Sequence, residues 1–141
     1  MENNVAAEFD NELTHILNYW EKFTIDHDKG GFYGRLTNDN QAVEGAIKGA
    51  VLNARILWSF SAAYNLTKEA HLLKVAERSF DYISGNFLDL AFGGVYWSVT
   101  AAGTPADMKK QIYAIAFTIY GLTEFYRASG MEEVLEMAKA L

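Results

Sequence analysis

The pair Gly30-Gly31 returns as Gly93-Gly94, 63 residues later, and the residues that follow each pair repeat with it. Lys48 comes back as Lys110, Leu57 as Ile119, Trp58 as Tyr120 and Tyr64 as Tyr126, each at an offset of 62. A period of this size marks a stacked architecture, in which one unit cannot bury its own apolar face and needs a neighbour. It constrains the fold more than any single motif does.

The segments between the repeated positions define the unit. Residues 5–24 carry Phe9, Leu13, Ile16, Leu17, Trp20 and Phe23 at steps of three and four, opposite Asp10, Glu12 and Glu21. That spacing predicts an amphipathic helix. Residues 26–40 break it with glycines and Asn38-Asp39-Asn40, which predicts a short hairpin or extended loop. A second helix is expected over about 46–66, apolar nearly all round and therefore buried on several sides. The third, about 69–88, is amphipathic again, with Leu72, Val75, Phe80, Ile83 and Phe87 against Lys74, Glu77, Arg78 and Asp81. A second hairpin, 91–105, ends at the single proline, Pro105. The fourth helix, about 106–128, is apolar almost all round, and a fifth runs from Met131 to Leu141.

Each unit is thus an amphipathic helix, a Gly-Gly hairpin and a helix buried on more than one face. One-sided helices belong on an outer ring and all-round apolar helices inside it, so the expected class is all-α, an α/α barrel with short hairpins between outer and inner helices. Two repeats and one further helix fall short of a closed ring. The last helical pattern carries no stop signal. Residues 1–141 are therefore expected to form the N-terminal part of a single larger domain.

Composition excludes several classes of function. With 50% hydrophobic and 14% aromatic residues the chain is not disordered. No apolar run reaches the roughly 18 residues of a membrane-spanning helix. The opening MENNVAAEFDNE is acidic and polar where a signal peptide is basic and then apolar. There is no cysteine for a disulfide, a thiolate metal site or a nucleophile, and a net charge of −6 lacks the basic footprint of a nucleic-acid binder. The expectation is a cytoplasmic protein with neither a membrane nor a nucleic-acid partner.

Four blocks, GGFYGRL at 30–36, AIKGAVLNARILWSFSAAY at 46–64, FGGVYWSV at 92–99 and KQIYAIAFTIYGLTEFY at 110–126, resemble the N-acylglucosamine 2-epimerase family, and within it the cellobiose or mannobiose 2-epimerase branch. The resemblance runs over essentially the whole chain. It implies an (α/α)6 barrel of twelve helices, of which this chain holds four to five. It also implies inversion at C2 of a reducing-end sugar, interconverting gluco and manno configurations of a β-1,4-linked disaccharide. One histidine removes the C2 proton and a second returns a proton to the other face, with no metal or other cofactor. The small-molecule partner is the sugar; oligomeric state is not implied.

The three histidines, His15, His27 and His71, match no catalytic position of the family, whose acid/base pair is expected beyond Leu141. Arg55 is the only charge between Lys48 and Lys68 on an apolar helix, so it should face an acidic partner or a polar cleft. By resemblance it lies in the sugar cleft and bonds substrate oxygens. Tyr113 matches a cleft tyrosine that offers a ring face and a hydroxyl. Lys48, seven residues before Arg55, is expected on the same helix face, either at the site or as a solvated or carbonyl-capping lysine. Asn53 shares that helix. Gln111 and Ile115 depart from the more polar pattern of the cellobiose branch. The glycine pairs lack phosphate-loop spacing, Asp26-His27-Asp28 lacks the ligand spacing of a calcium loop, and Trp97 either shapes a cleft mouth or pins its hairpin. The competing readings are an (α/α)6 glycoside hydrolase and a helical-repeat interaction module without activity.

Overall fold

The computed structural model describes residues 5–141. Its α-helices are α1 (Val5–Thr24), α2 (Ala50–Thr67), α3 (Ala70–Tyr82), α4 (Ile112–Ser129) and α5 (Glu132–Ala140), with a π-helical turn at Ile83–Phe87 after α3. A small antiparallel sheet, β1 (Lys48–Gly49), β2 (Ser98–Val99) and β3 (Pro105–Asp107), is ordered β1-β2-β3. The expected alternation of outer and inner helices is present, with α1, α3 and α5 outside and α2 and α4 inside. Among the described residues, no helix is long and apolar enough to cross a membrane.

Both inner helices start later than the apolar pattern predicts, and for the same reason. Lys48 and Gly49 pair with Val99 and Ser98, and Pro105 and Asp107 pair with Val99 and Ser98 on the other side. Strand pairing therefore claims the residues before each helix. The Ala50 N–H donates to the Trp97 carbonyl at 3.0 Å, so the sheet is stitched to the N-terminal end of α2. Both inner helices also end alike. Lys68 (φ 61°) and Gly130 (φ 70°) adopt the left-handed conformation and donate to the carbonyls of Tyr64 and Tyr126. That is a common way to satisfy a last-turn carbonyl. The third helix leaves α geometry at Tyr82 rather than running to 88. Ser84 Oγ and Asn86 Nδ2 donate to the carbonyls of Phe80 and Tyr82 there, competing for the acceptors an α-turn uses.

The core is built around α2, which lies between α3 and α4. Ala54, Leu57 and Phe60 of α2 meet Phe80 of α3 and Leu122 and Phe125 of α4, with the Phe80 and Phe125 rings stacked at 5.0 Å. Val134 and Ala138 lay α5 on that core. By contrast, α1 buries only Leu17 and Thr24, and its expected apolar stripe leaves Phe9 and Ile16 exposed.

The inner helices touch closely at Gly121, where an added Cβ would stand 2.7 Å from the Ala54 carbonyl oxygen. Backbone cannot yield there without moving a helix. Gly121→Ala is expected to cost about 1–3 kcal/mol through overpacking. Thermal or urea unfolding checks this, and a variant as stable as the parent would mean that the two helices part without cost.

Candidate functional site

Arg55 lies in the second turn of α2, its side chain exposed. Among the described residues it has neither an ion-pair nor a hydrogen-bond partner. Of the two expected surroundings, an acidic partner is not found. The guanidinium lines a hollow of about 430 Å³ between α1 and α2, walled by Leu17 and Trp20 on one side and Leu52, Ile56 and Ser59 on the other.

Tyr113 stands in the first turn of α4, 59% exposed, and its hydroxyl has no partner. Its ring packs at 4.8 Å on Phe117, which meets Tyr120 edge-on at 6.4 Å. Tyr120 in turn stacks on Trp58 of α2 at 5.0 Å and 11°. This aromatic ladder joins the two inner helices. Arg55 and Tyr113 do not share one cavity, but both sit near the N-terminal ends of adjacent inner helices, the end carrying the sheet and the half-exposed Trp97. Gln111 precedes α4, and Ile115 packs against the core.

Lys48 corrects the expectation from spacing. It belongs to β1, so the seven-residue helical argument does not apply to it. It is only 1% exposed and is neither a site residue nor solvated. Its Nζ donates to Asp26 Oδ2 at 2.8 Å and to the Gly30 carbonyl at 2.7 Å, and lies 4.8 Å over the Tyr82 ring. Asn53 is fully buried, with Nδ2 donating to the Gly49 carbonyl.

The partner of Lys48 reveals a repeated feature that the sequence reading passed over. Asp26 Oδ1 accepts the N–H groups of Asp28 and Lys29, shaping the turn before Gly30-Gly31. Asp89, 63 residues on, accepts those of Ala91 and Phe92, and its Oδ2 takes Lys110 Nζ at 2.6 Å. Each turn closes with matching backbone bonds, Asp26 N to Gly31 O and Asp89 N to Gly94 O. An aspartate four residues before each Gly-Gly was the available signal. The lysine pairing was not, because it spans 22 and 21 residues. Both turns thus tie an outer-helix exit to the start of the next inner helix.

Burial by itself would raise the Asp26 carboxyl, but the Lys48 hydrogen bond and the Lys29 and Asp28 N–H groups overcome it and hold its pKa below the ordinary 3.8. Asp89 is lowered chiefly by Lys110, against its own burial, with help from the Phe92 and Ala91 N–H groups. The first latch is further clasped by α3. Arg78 donates to the carbonyls of Gly31 and Asp26. Gly31, at φ +60°, lies so close under the Tyr82 ring that a Cβ would meet it at 2.5 Å.

The histidines are dispersed. His15 lies on α1 beside Glu12, His27 is exposed on the first turn, and His71 on α3 reaches Glu21 of α1 at 3.8 Å and Glu69 at 3.6 Å. The one acidic side chain on the inner helices, Glu124, is spent on Asn65 and Arg127, each at 2.7 Å.

Alternating outer and inner helices, with a sheet across the inner N-termini and an unpaired arginine at that end, define part of an (α/α)6 barrel. A profile of the N-acylglucosamine 2-epimerase (GlcNAc 2-epimerase) family matches residues 8–141, and the chain belongs to that family. The cellobiose 2-epimerase of Bacteroides fragilis is 49% identical over 142 aligned residues, covering 100% of this chain and 36% of that protein. A cellobiose 2-epimerase of Ruminococcus albus is 43% identical, covering 97% of this chain and 35% of that protein. The structure of cellobiose 2-epimerase from Bacillus thermoamylovorans B4167 superimposes with a TM-score of 0.92 at 40% identity, over 97% of this chain and 35% of that one. The chain thus spans about a third of the length of the relatives it matches.

Proposed function

We propose that the complete protein is a cytoplasmic carbohydrate 2-epimerase and that residues 1–141 form the N-terminal part of its single (α/α)6 catalytic domain. Its substrate is the reducing end of a β-1,4-linked disaccharide, cellobiose or mannobiose. The observation that carries this reading is the 49% identity, across the whole chain, with a cellobiose 2-epimerase.

In the open-chain sugar the C2 proton is alpha to the C1 aldehyde. A base removes it, the C–H electron pair forms a C1–C2 double bond, and the carbonyl oxygen takes the negative charge as an enediolate. A proton delivered to the opposite face of C2 restores the aldehyde with inverted configuration, and no net oxidation occurs. Such a step needs a base of near-neutral pKa and a donor waiting where the oxyanion develops. Arg55 suits the second role, because its guanidinium is permanently charged, forked and free of competing partners. Tyr113 offers a ring face to a pyranose and an unengaged hydroxyl to a sugar oxygen. The proton-transferring histidines are assigned to parts of the protein outside this chain, since His15, His27 and His71 lie apart on outer elements.

A glycoside hydrolase needs two carboxylates flanking the scissile bond. Glu124, already bound on both oxygens, does not favour that reading. The complete protein, given cellobiose in D2O, is expected to place deuterium at C2 of the reducing sugar and to form the manno epimer. No exchange at C2 of any reducing aldose, or release of a monosaccharide instead, would overturn the proposal.

A further inference from the structure

Inside the chain, α2 acts as a ridge lodged in a seat made by α3 and α4. The ridge residues Asn53, Ala54, Leu57 and Ser61 are fully buried. On the seat side, Ser79 Oγ donates to the Asn53 carbonyl and Gly121 lies against Ala54. The 62-residue repeat carries this interface to both ends of the chain. Applied to the ridge, it gives Ile115, Ala116, Ile119 and Thr123 on α4, of which Ala116 and Thr123 are exposed and the isoleucines only half-buried. Applied to the seat residues Ala114, Thr118, Gly121 and Leu122, it gives Leu52, Ile56, Ser59 and Phe60. All four line the 430 Å³ hollow between α1 and α2.

The chain therefore presents an uncovered ridge at one end and an open seat at the other, and the two are counterparts of a contact it already makes internally. Apolar character persists on α4 at positions whose equivalents on α2 are inaccessible to water, which solvent exposure alone does not require. One seat position differs. Ser59 stands where Gly121 does, so a second junction is wider by that side chain.

We propose that the open seat of one copy of this chain takes the α4 ridge of a second copy, head to tail, and that three copies close into a ring. A contact between two different faces of one molecule propagates until its rotation closes. Three copies supply the length of one of the relatives of which this chain spans 35–36%. The inference rests on the repeat geometry and not on the proposed reaction. In a protein that continues into further repeats, the same faces meet repeats of its own polypeptide.

Sedimentation velocity and light scattering on the 141-residue chain test this. The expected mass is about three times the 15.8 kDa of one copy. Ser59→Arg blocks the seat and Ala116→Arg blocks the ridge, both at positions exposed in the single chain, so helical circular dichroism should be retained. Each variant is expected to run as a monomer. Mixed together they are expected to form a 1:1 pair, because one keeps its ridge and the other its seat. A monomeric parent chain, an open-ended series of masses, an assembly that either substitution leaves intact, or a mixture that does not pair would each overturn the proposal.

Discussion

Lys48→Met is expected to lower the folding free energy by about 3–5 kcal/mol, the usual cost of removing one member of a buried ion pair. Three losses act together. Asp26 keeps its charge in a site that water scarcely reaches, the Gly30 carbonyl loses its donor, and the Tyr82 ring loses the cation above it. Urea denaturation followed by circular dichroism measures the change. Acid supplies a second readout. Because the Asp26 pKa is lowered in the folded state, its contribution is fully present above the ordinary value of 3.8 and is lost as pH falls through the folded value. Without Lys48, burial is left to raise that pKa, so the variant is spared this acid-linked loss. The gap between parent and variant should narrow below about pH 4. A gap that is small at neutral pH, or that widens in acid, would show that the pair contributes little. Lys110→Met should cost less, because Lys110 is 31% exposed and water reaches its Asp89 partner's side of the pair.

The latch also shows where sequence reasoning stops. Arg55 was legible because a lone charge on an apolar helix demands an explanation, and the rule needs no partner to be known. Lys48 satisfied the same rule and was misplaced, because its role depends on where α2 begins. That boundary is set by strand pairing with residues 98–99, far along the chain, and by the extended backbone of Gly49. The Gly-Gly repeat was visible, yet the aspartates four residues earlier were not, since their neighbours differ completely: His27, Asp28 and Lys29 against Leu90, Ala91 and Phe92. What the turns share is backbone hydrogen bonding, to which side-chain pattern is blind. The half-covered stripe of α1 was likewise illegible. Periodicity predicts an apolar face but not whether a neighbour is present to cover Phe9 and Ile16.

Arg55→Ala in the complete protein is expected to reduce kcat/KM for cellobiose epimerisation by about 10²–10³-fold, the range seen when one oxyanion donor is removed. The position permits a clean measurement. Arg55 is exposed and holds no other residue, so its loss should shift stability by only about 0.5 kcal/mol. The fall should appear mainly in kcat, because the enediolate charge develops only as the C2 proton leaves. Arg55→Lys restores a charge but not a two-toothed fork, and should recover only part of the rate. Deuterium wash-in at C2 separates the steps, since exchange and inversion fall together if the guanidinium stabilises their common intermediate. If Arg55 served only to hold the sugar in place, KM would rise while kcat stayed constant. If activity were unchanged, the unpaired arginine at the inner-helix terminus would have no part in the reaction. Tyr113→Phe gives the contrast, because it keeps the ring on Phe117 and removes only the hydroxyl, so a smaller loss, weighted towards KM, is expected from it.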